Sequence, residues 1–269
     1  MCGCCVFEKC EVALCYLYLV GSFVLCCRAS DHKYDSGKPS NKPHQLQRER
    51  ESTAAYDIKM RATVRPSPTV IICPGNGCSN IRQSNWYGML YEQLIKRDIP
   101  CICNDFPDPL HARRDQWIPF IRSMANEHAT SNDQVVLVGH SSGAQAALRY
   151  TEKYPAVGCV LVSATYSDLG DAHERASGYY PQPGSGGNKN ETNPYLFDAM
   201  KANCPMWYQF HSDDDPFIPL REAEKIRDGL GLTDTYHMLP GRSHFFEFDP
   251  LILDTILTLC DTSSTGEQK

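Results

Sequence analysis

From residue 67 onward, short unbroken apolar runs alternate with helical spacings. Thr69–Cys73 (TVIIC) reads as a buried strand. Ser84–Lys96 follows with Trp86, Leu90 and Leu94 at i, i+4 and i+8, which share one helical face. Pro100–Asn104 reads as a second strand. Ala112–Glu127 reads as a second helix, with Trp117, Phe120, Ile121 and Met124 at i, i+3, i+4 and i+7. Further strands are expected at Gln134–Val138, Gly158–Ser163, Met206–Phe210 and Asp234–Leu239. Helices are expected over Ser142–Tyr154, Pro219–Gly229 and Phe246–Cys260. Continuous apolar strands joined through helices predict a mostly parallel sheet covered on both faces. The expected architecture is therefore α/β, a three-layer α/β/α sandwich around about six strands.

That pattern covers residues 67–260, which read as one domain. Residues 1–28 are apolar and Cys-rich, with Val12–Cys27 broken only by Gly21 and Ser22. Three readings stand for this segment: a signal or inserted anchor, a lipidated membrane-surface segment contacting lipid through residues 12–27, or no targeting role. Residues 29–66 hold few large apolar side chains and read as a disordered linker, as does the tail 261–269. Between the fourth and fifth strands runs a long excursion, Ala164–Pro205. Its centre, Pro181–Asn193, is rich in Gly, Pro, Asn and Lys and reads as a mobile extra loop.

Charge and cysteine use narrow the function. Residues 67–269 carry 16 Lys/Arg against 25 Asp/Glu, a balance that repels phosphate backbones and argues against a nucleic-acid partner. Seven of the 14 cysteines lie in the first 27 residues, and the rest are scattered. No pair of CxxC motifs is present, so no structural metal site is expected, and only Gly75 and Gly77 of a G-x-G-x-x-G pattern fit after the first strand, so no cofactor is expected. Scattered thiols suit a reducing compartment, and the cytoplasm is favoured. The apolar run and the acceptor pattern Asn190-Glu191-Thr192 carry the alternative, a secreted or membrane-anchored protein.

The strongest chemical signal is Gly139-His140-Ser141-Ser142-Gly143, between a predicted strand and a predicted helix. This is G-x-S-x-G in its strand–turn–helix context, which lifts a serine out of a sharp turn. Ser141 is the expected nucleophile. A serine needs a base, and the base needs an orienting acid. His244, in the loop after the last strand, is the expected base; His237 sits inside that strand. Asp215 in Ser212-Asp213-Asp214-Asp215-Pro216-Phe217-Ile218-Pro219 is the expected acid, with Asp214 as its substitute. The turn Cys73-Pro74-Gly75-Asn76-Gly77-Cys78 supplies one oxyanion donor, Asn76 or alternatively Gly77, and Ser142 N–H supplies the other. Trp86, Tyr87 and Trp117 either line the site or pack on the sheet.

These motifs resemble a known family. PGNG at 74–77, NWYG at 85–88, FPDP at 106–109, GHSSGAQAALRY at 139–150, HSDDDPFIP at 211–219 and GRSHF at 241–245 are similar to the retinoblastoma-binding-protein-nine-like serine hydrolases. The resemblance spans residues 69–259. It implies a compact α/β-hydrolase fold, an intracellular catalytic domain and the triad Ser141, Asp215 and His244. The family namesake's Leu-x-Cys-x-Glu motif has no counterpart in Met124–Thr130, so a retinoblastoma-type partner is not expected. The expected activity is that of a serine hydrolase, esterase-, amidase- or aminopeptidase-like, acting on a small ester, amide or peptide-like acyl substrate. The alternative is a non-catalytic α/β-hydrolase scaffold that binds a protein partner.

Overall fold

The computed structural model describes residues 67–128, 134–183 and 192–265. The segments 1–28 and 29–66, most of the 181–193 loop and the Asn190 pattern lie outside the described residues. Six parallel strands form one sheet in the order β2-β1-β3-β4-β5-β6. They are β1 (Thr69–Cys73), β2 (Cys101–Ile102), β3 (Val135–His140), β4 (Gly158–Val162), β5 (Met206–His211) and β6 (Tyr236–Met238). The helices are α1 (Tyr87–Ile95), α2 (Arg114–His128), α3 (Ser142–Thr151), α4 (Ala172–Ser177), α5 (Phe197–Asn203), α6 (Leu220–Leu230) and α7 (Pro250–Thr265).

The apolar strands are buried on both faces, and their residues divide with period two. Val70, Ile72, Val136, Val138, Val160 and Val162 pack under Leu90 and Leu94 of α1 and under Ile252, Ile256 and Leu259 of α7. Ile71, Cys73, Val135, Leu137, Cys159 and Leu161 pack on the opposite face. There they meet Trp117, Ile121 and Met124 of α2, Ala147 and Leu148 of α3, and Ile226 of α6. Each fully buried side chain of this size contributes about 1.5–3 kcal/mol over its exposed state. Two apolar clusters divided by one sheet make the expected three layers.

Some elements differ from their expected lengths. β2, one of the two edge strands, pairs at two positions only, Val70↔Cys101 and Ile71↔Ile102. The last helix begins at Pro250 rather than Phe246. Asp249 Oδ1 accepts the Leu251 N–H at 2.9 Å, and proline is well suited to the first helical position. That helix runs to Thr265, past the expected start of the tail. The excursion after β4 contains α4 and α5, which the apolar spacing did not indicate. Asp171 caps α4 through the His173 and Glu174 N–H groups, and Gly178 ends it at φ 85°.

Arg149 holds the excursion down. Its guanidinium donates to the Tyr179 carbonyl, to Asn193 O and Pro194 O at 2.8 Å each, and to Glu152 Oε1 at 2.5 Å. Gln182 and Thr192 exchange two backbone bonds of 2.8 Å at the base of the loop. No helix among the described residues is long and apolar enough to cross a membrane.

Candidate active site

All strands run the same way, so the loops after β1, β3, β5 and β6 emerge at one edge of the sheet. β1 lies beside β3, while β1 leads to β2 on its other side; the carboxyl edge at such a reversal is where open α/β sheets form crevices. A cavity of about 520 Å3 lies there, and Asn76, Ser141, Ser142 and His244 all line it.

Ser141 follows β3 directly and holds φ 55° and ψ −121°. Non-glycine residues rarely occupy this region, and such strain is sustained only where the surroundings enforce it. Its N–H donates to Val162 O at 2.9 Å, which ties the turn to β4. Gly139 and Gly143 make the turn sterically feasible. A Cβ on Gly143 would stand 2.1 Å from Cys73 O, and one on Gly139 would stand 2.5 Å from Gly143 O. Helix α3 thus sits against β1 at a distance only a glycine permits. Its N-terminal residue Ser142, at the positive dipole end, lines the cavity.

His244 is buried, and its Nδ1 lies 2.9 Å from Asp215 Oδ2. The carboxylate accepts, so Nδ1 carries the hydrogen of that bond. Asp215 Oδ1 accepts the Phe217 and Ile218 N–H groups at 2.9 and 3.0 Å. Burial alone raises the Asp215 pKa; the His244 hydrogen bond and charge, with the two amides, outweigh it and hold the carboxyl below its ordinary range. Asp214 is occupied elsewhere, accepting the Ser212 hydroxyl at 2.6 Å and the Ser243 N–H at 2.8 Å. His237 stacks on Phe210, with ring centroids 4.8 Å apart, and does not line the cavity.

On the β1 side, Gly75 N–H donates to Tyr87 Oη at 2.9 Å and Gly77 N–H donates to Pro109 O at 2.7 Å. The Asn76 N–H makes no bond among the described residues, and Asn76 lines the cavity. Trp86, Tyr87 and Trp117 are core residues at 2%, 0% and 0% exposure, so the aromatic walls lie elsewhere. Phe217 and Phe246 flank the His244 ring at 5.1 and 5.4 Å, and Leu169, Tyr180 and Glu174 come from the excursion. Sequence spacing gave no sign of these wall residues. Among the described residues no group of three or more His, Cys, Asp or Glu is placed to hold a metal ion.

A parallel α/β sheet with a strained serine at its carboxyl edge defines a hydrolase of the α/β class, and comparisons with known proteins agree. A model of the alpha/beta hydrolase family matches residues 70–209. The rat (Rattus norvegicus) serine hydrolase RBBP9 is 38% identical over 192 residues, which cover 69% of this chain and 93% of that protein. In fold, the chain is similar to the ydeN gene product of B. subtilis, with TM-score 0.59, 18% identity and coverage of 72% of this chain and 98% of that one. It is also similar to the alpha/beta hydrolase GrgF of Penicillium sp. sh18, with TM-score 0.52, 12% identity and coverage of 76% and 92%. The chain belongs to the alpha/beta hydrolase family and is an RBBP9-like serine hydrolase.

Proposed function

We propose that Ser141, His244 and Asp215 form a catalytic triad that hydrolyses small ester, amide or peptide-like acyl compounds. The observation that carries this reading is the 2.9 Å bond between His244 Nδ1 and Asp215, with His244 and the strained Ser141 on one cavity. Ser141 Oγ attacks the substrate carbonyl and passes its proton to His244 Nε2. Asp215 keeps the imidazole in the Nδ1–H tautomer and stabilises its cationic form. The N–H groups of Asn76 and Ser142 receive the oxyanion. Collapse of the adduct sends the His244 proton to the leaving group and leaves an acyl-serine. Water then attacks it, giving a proton to His244; collapse of this second adduct returns that proton to Ser141 Oγ and releases the acid.

The cavity has the volume of a small-molecule site. Leu169, Phe217 and Phe246 present apolar surface to it. Glu174 is on its wall, and no Lys or Arg is among its described lining residues. This combination favours a neutral or cationic substrate with an apolar group and disfavours an anionic one. The test is Ser141→Ala, with fluorophosphonate labelling of the wild type followed by peptide mapping. Loss of hydrolysis in the variant with labelling at Ser141 supports the triad. Retained hydrolysis, or a folded wild type that neither labels nor turns over substrate, overturns it and favours the binding scaffold.

A further inference from the structure

The loop that carries His244 is conformationally strained. After Gly241 at φ 70°, Ser243 at φ 50° and Phe245 at φ 51° flank His244 in a region that side-chain-bearing residues rarely adopt. Such a backbone persists only where its neighbours over-determine it. On one side the acidic loop does so, because Asp213, Ser212 and Asp214 accept the N–H groups of Gly241, Arg242 and Ser243. On the other side the carbonyls of His244 and Phe245 are held by residues far away in sequence. Trp86 Nε1–H donates to Phe245 O at 2.8 Å. His140 Nε2 lies 2.8 Å from His244 O.

The direction of every bond in this second set is fixed. A carbonyl only accepts, so His140 Nε2 carries the hydrogen and Nδ1 is the acceptor. Tyr87 Oη, 2.6 Å from that Nδ1, must therefore donate its proton to it. The phenol oxygen then accepts from Gly75 N–H at 2.9 Å and from Asn85 Nδ2 at 3.1 Å. The result is one directed chain, Gly75 to Tyr87 to His140 to the His244 carbonyl. It ends at the base loop and begins in the turn that presents Asn76. Burial and the nearby His244 lower the His140 pKa to about 3, which keeps the ring neutral and the chain in one tautomeric sense.

We infer that Tyr87 and His140 are positioning residues that lock the His244 loop to the oxyanion turn, so that base and oxyanion donor hold one geometry. This rests on the triad reading above. Neither side chain is needed to touch the reacting atoms; His140 acts through the His244 backbone and Tyr87 through His140 and Gly75. The role also accounts for the NWYG segment, where Asn85, Trp86 and Tyr87 each contribute a bond to the brace.

The test measures kcat and KM on a neutral nitrophenyl ester with the full chain, each variant normalised to folded protein. Tyr87→Phe removes the phenol, and His140→Leu removes both ring nitrogens at similar bulk. Each should lower kcat by about 10- to 100-fold with KM nearly unchanged, the range expected when reacting groups drift by about 1 Å. The double variant should lose no more than the worse single one, because both cut the same chain. His140→Gln, which keeps a donor for the His244 carbonyl, should recover about tenfold or more over His140→Leu. Ser141→Ala is run alongside. If it keeps turnover, the triad reading itself fails. If it is inactive while folded Tyr87→Phe and His140→Leu match wild-type kcat, the triad stands and the brace is refuted. Should Tyr87→Phe not fold, equal kcat in His140→Leu and His140→Gln refutes it.

Discussion

Gly143→Ala adds one methyl group where the backbone leaves no room. The new Cβ would lie 2.1 Å from Cys73 O, 2.4 Å from Cys73 C and 2.5 Å from Pro74 O, against 3.4 Å or more for ordinary contact. All three obstacles are main-chain atoms. Cys73 ends β1, a fully buried strand paired on one side with β2 and on the other with β3, so it cannot retreat. Helix α3 must move instead, and its entire length is buried. Overpacking of this kind costs about 1–3 kcal/mol. For a domain of this size that lowers Tm by about 2–4 °C per kcal/mol. The displaced end of α3 carries both Ser141 and the Ser142 amide, so a shift of about 1 Å should also reduce kcat/KM by about 100-fold. Gly75→Ala is the control for stability. Its Cβ would meet Ser141 Cβ and Tyr87 Oη at 3.5 Å, an ordinary contact, at a glycine without positive φ. Urea unfolding and ester hydrolysis measure both effects. A Gly143→Ala protein with wild-type stability and turnover would refute the steric argument, because it would mean that the elbow has slack.

Three further outcomes follow from the same geometry. His140 holds a pKa of about 3 against 6.5 for a free imidazole, so between those values the unfolded chain binds a proton that the folded one does not. Its contribution to stability is therefore full above pH 6.5 and declines toward pH 3, by about 1.4 kcal/mol per pH unit; the urea-measured stability of wild type should fall more steeply than that of His140→Gln by this amount, and equal slopes in the two proteins would contradict it. Arg149→Ala removes one of two arginines on the buried Glu152 carboxylate, which keeps Arg114 at 3.2 Å, and frees the carbonyls of Tyr179, Asn193 and Pro194, so it should cost about 1–3 kcal/mol in chemical denaturation. A cost below about 1 kcal/mol would show that the pair does not anchor the excursion. Asp215→Asn should reduce kcat by about 10⁴-fold, while His237→Ala, in the stack on Phe210, should leave it near wild type; the reverse order would relocate the base.

The architecture was legible because its signals are local. TVIIC and QVVLV are unbroken apolar runs, and a strand buried on both faces needs nothing else to be recognised. The placement of Ser141, Asp215 and His244 was legible for a related reason. Each sits in the first turn or loop after a strand, and parallel strands send all such loops to one edge. The short helix α4 had its cap Asp171 and its stop Gly178 in plain view, yet six residues are too few for apolar spacing to register. Which amides of the Gly-rich turn are bonded could not be read from the turn itself: Pro109 takes the Gly77 N–H from 32 positions away in the chain.

Aromatic residues mark where sequence reading stops for a physical reason. Trp86 and Trp117 lie on apolar helical faces, and such a face looks the same whether it meets a sheet or a substrate. Here both rings are sealed in the core and spend their N–H groups on carbonyls, Trp86 on Phe245 and Trp117 on Pro107. Phe217 lies in a loop, and Phe246, expected to open the last helix, falls in the loop before it; these are the rings left exposed beside His244. A buried tryptophan needs an acceptor, and the acceptor for Trp86 is 159 residues away. That requirement couples the packing of α1 to the shape of the base loop. A change in the core at Trp86 should therefore reach the site through the Phe245 carbonyl, whereas a change at Phe217 or Phe246 should alter substrate preference and leave the fold intact.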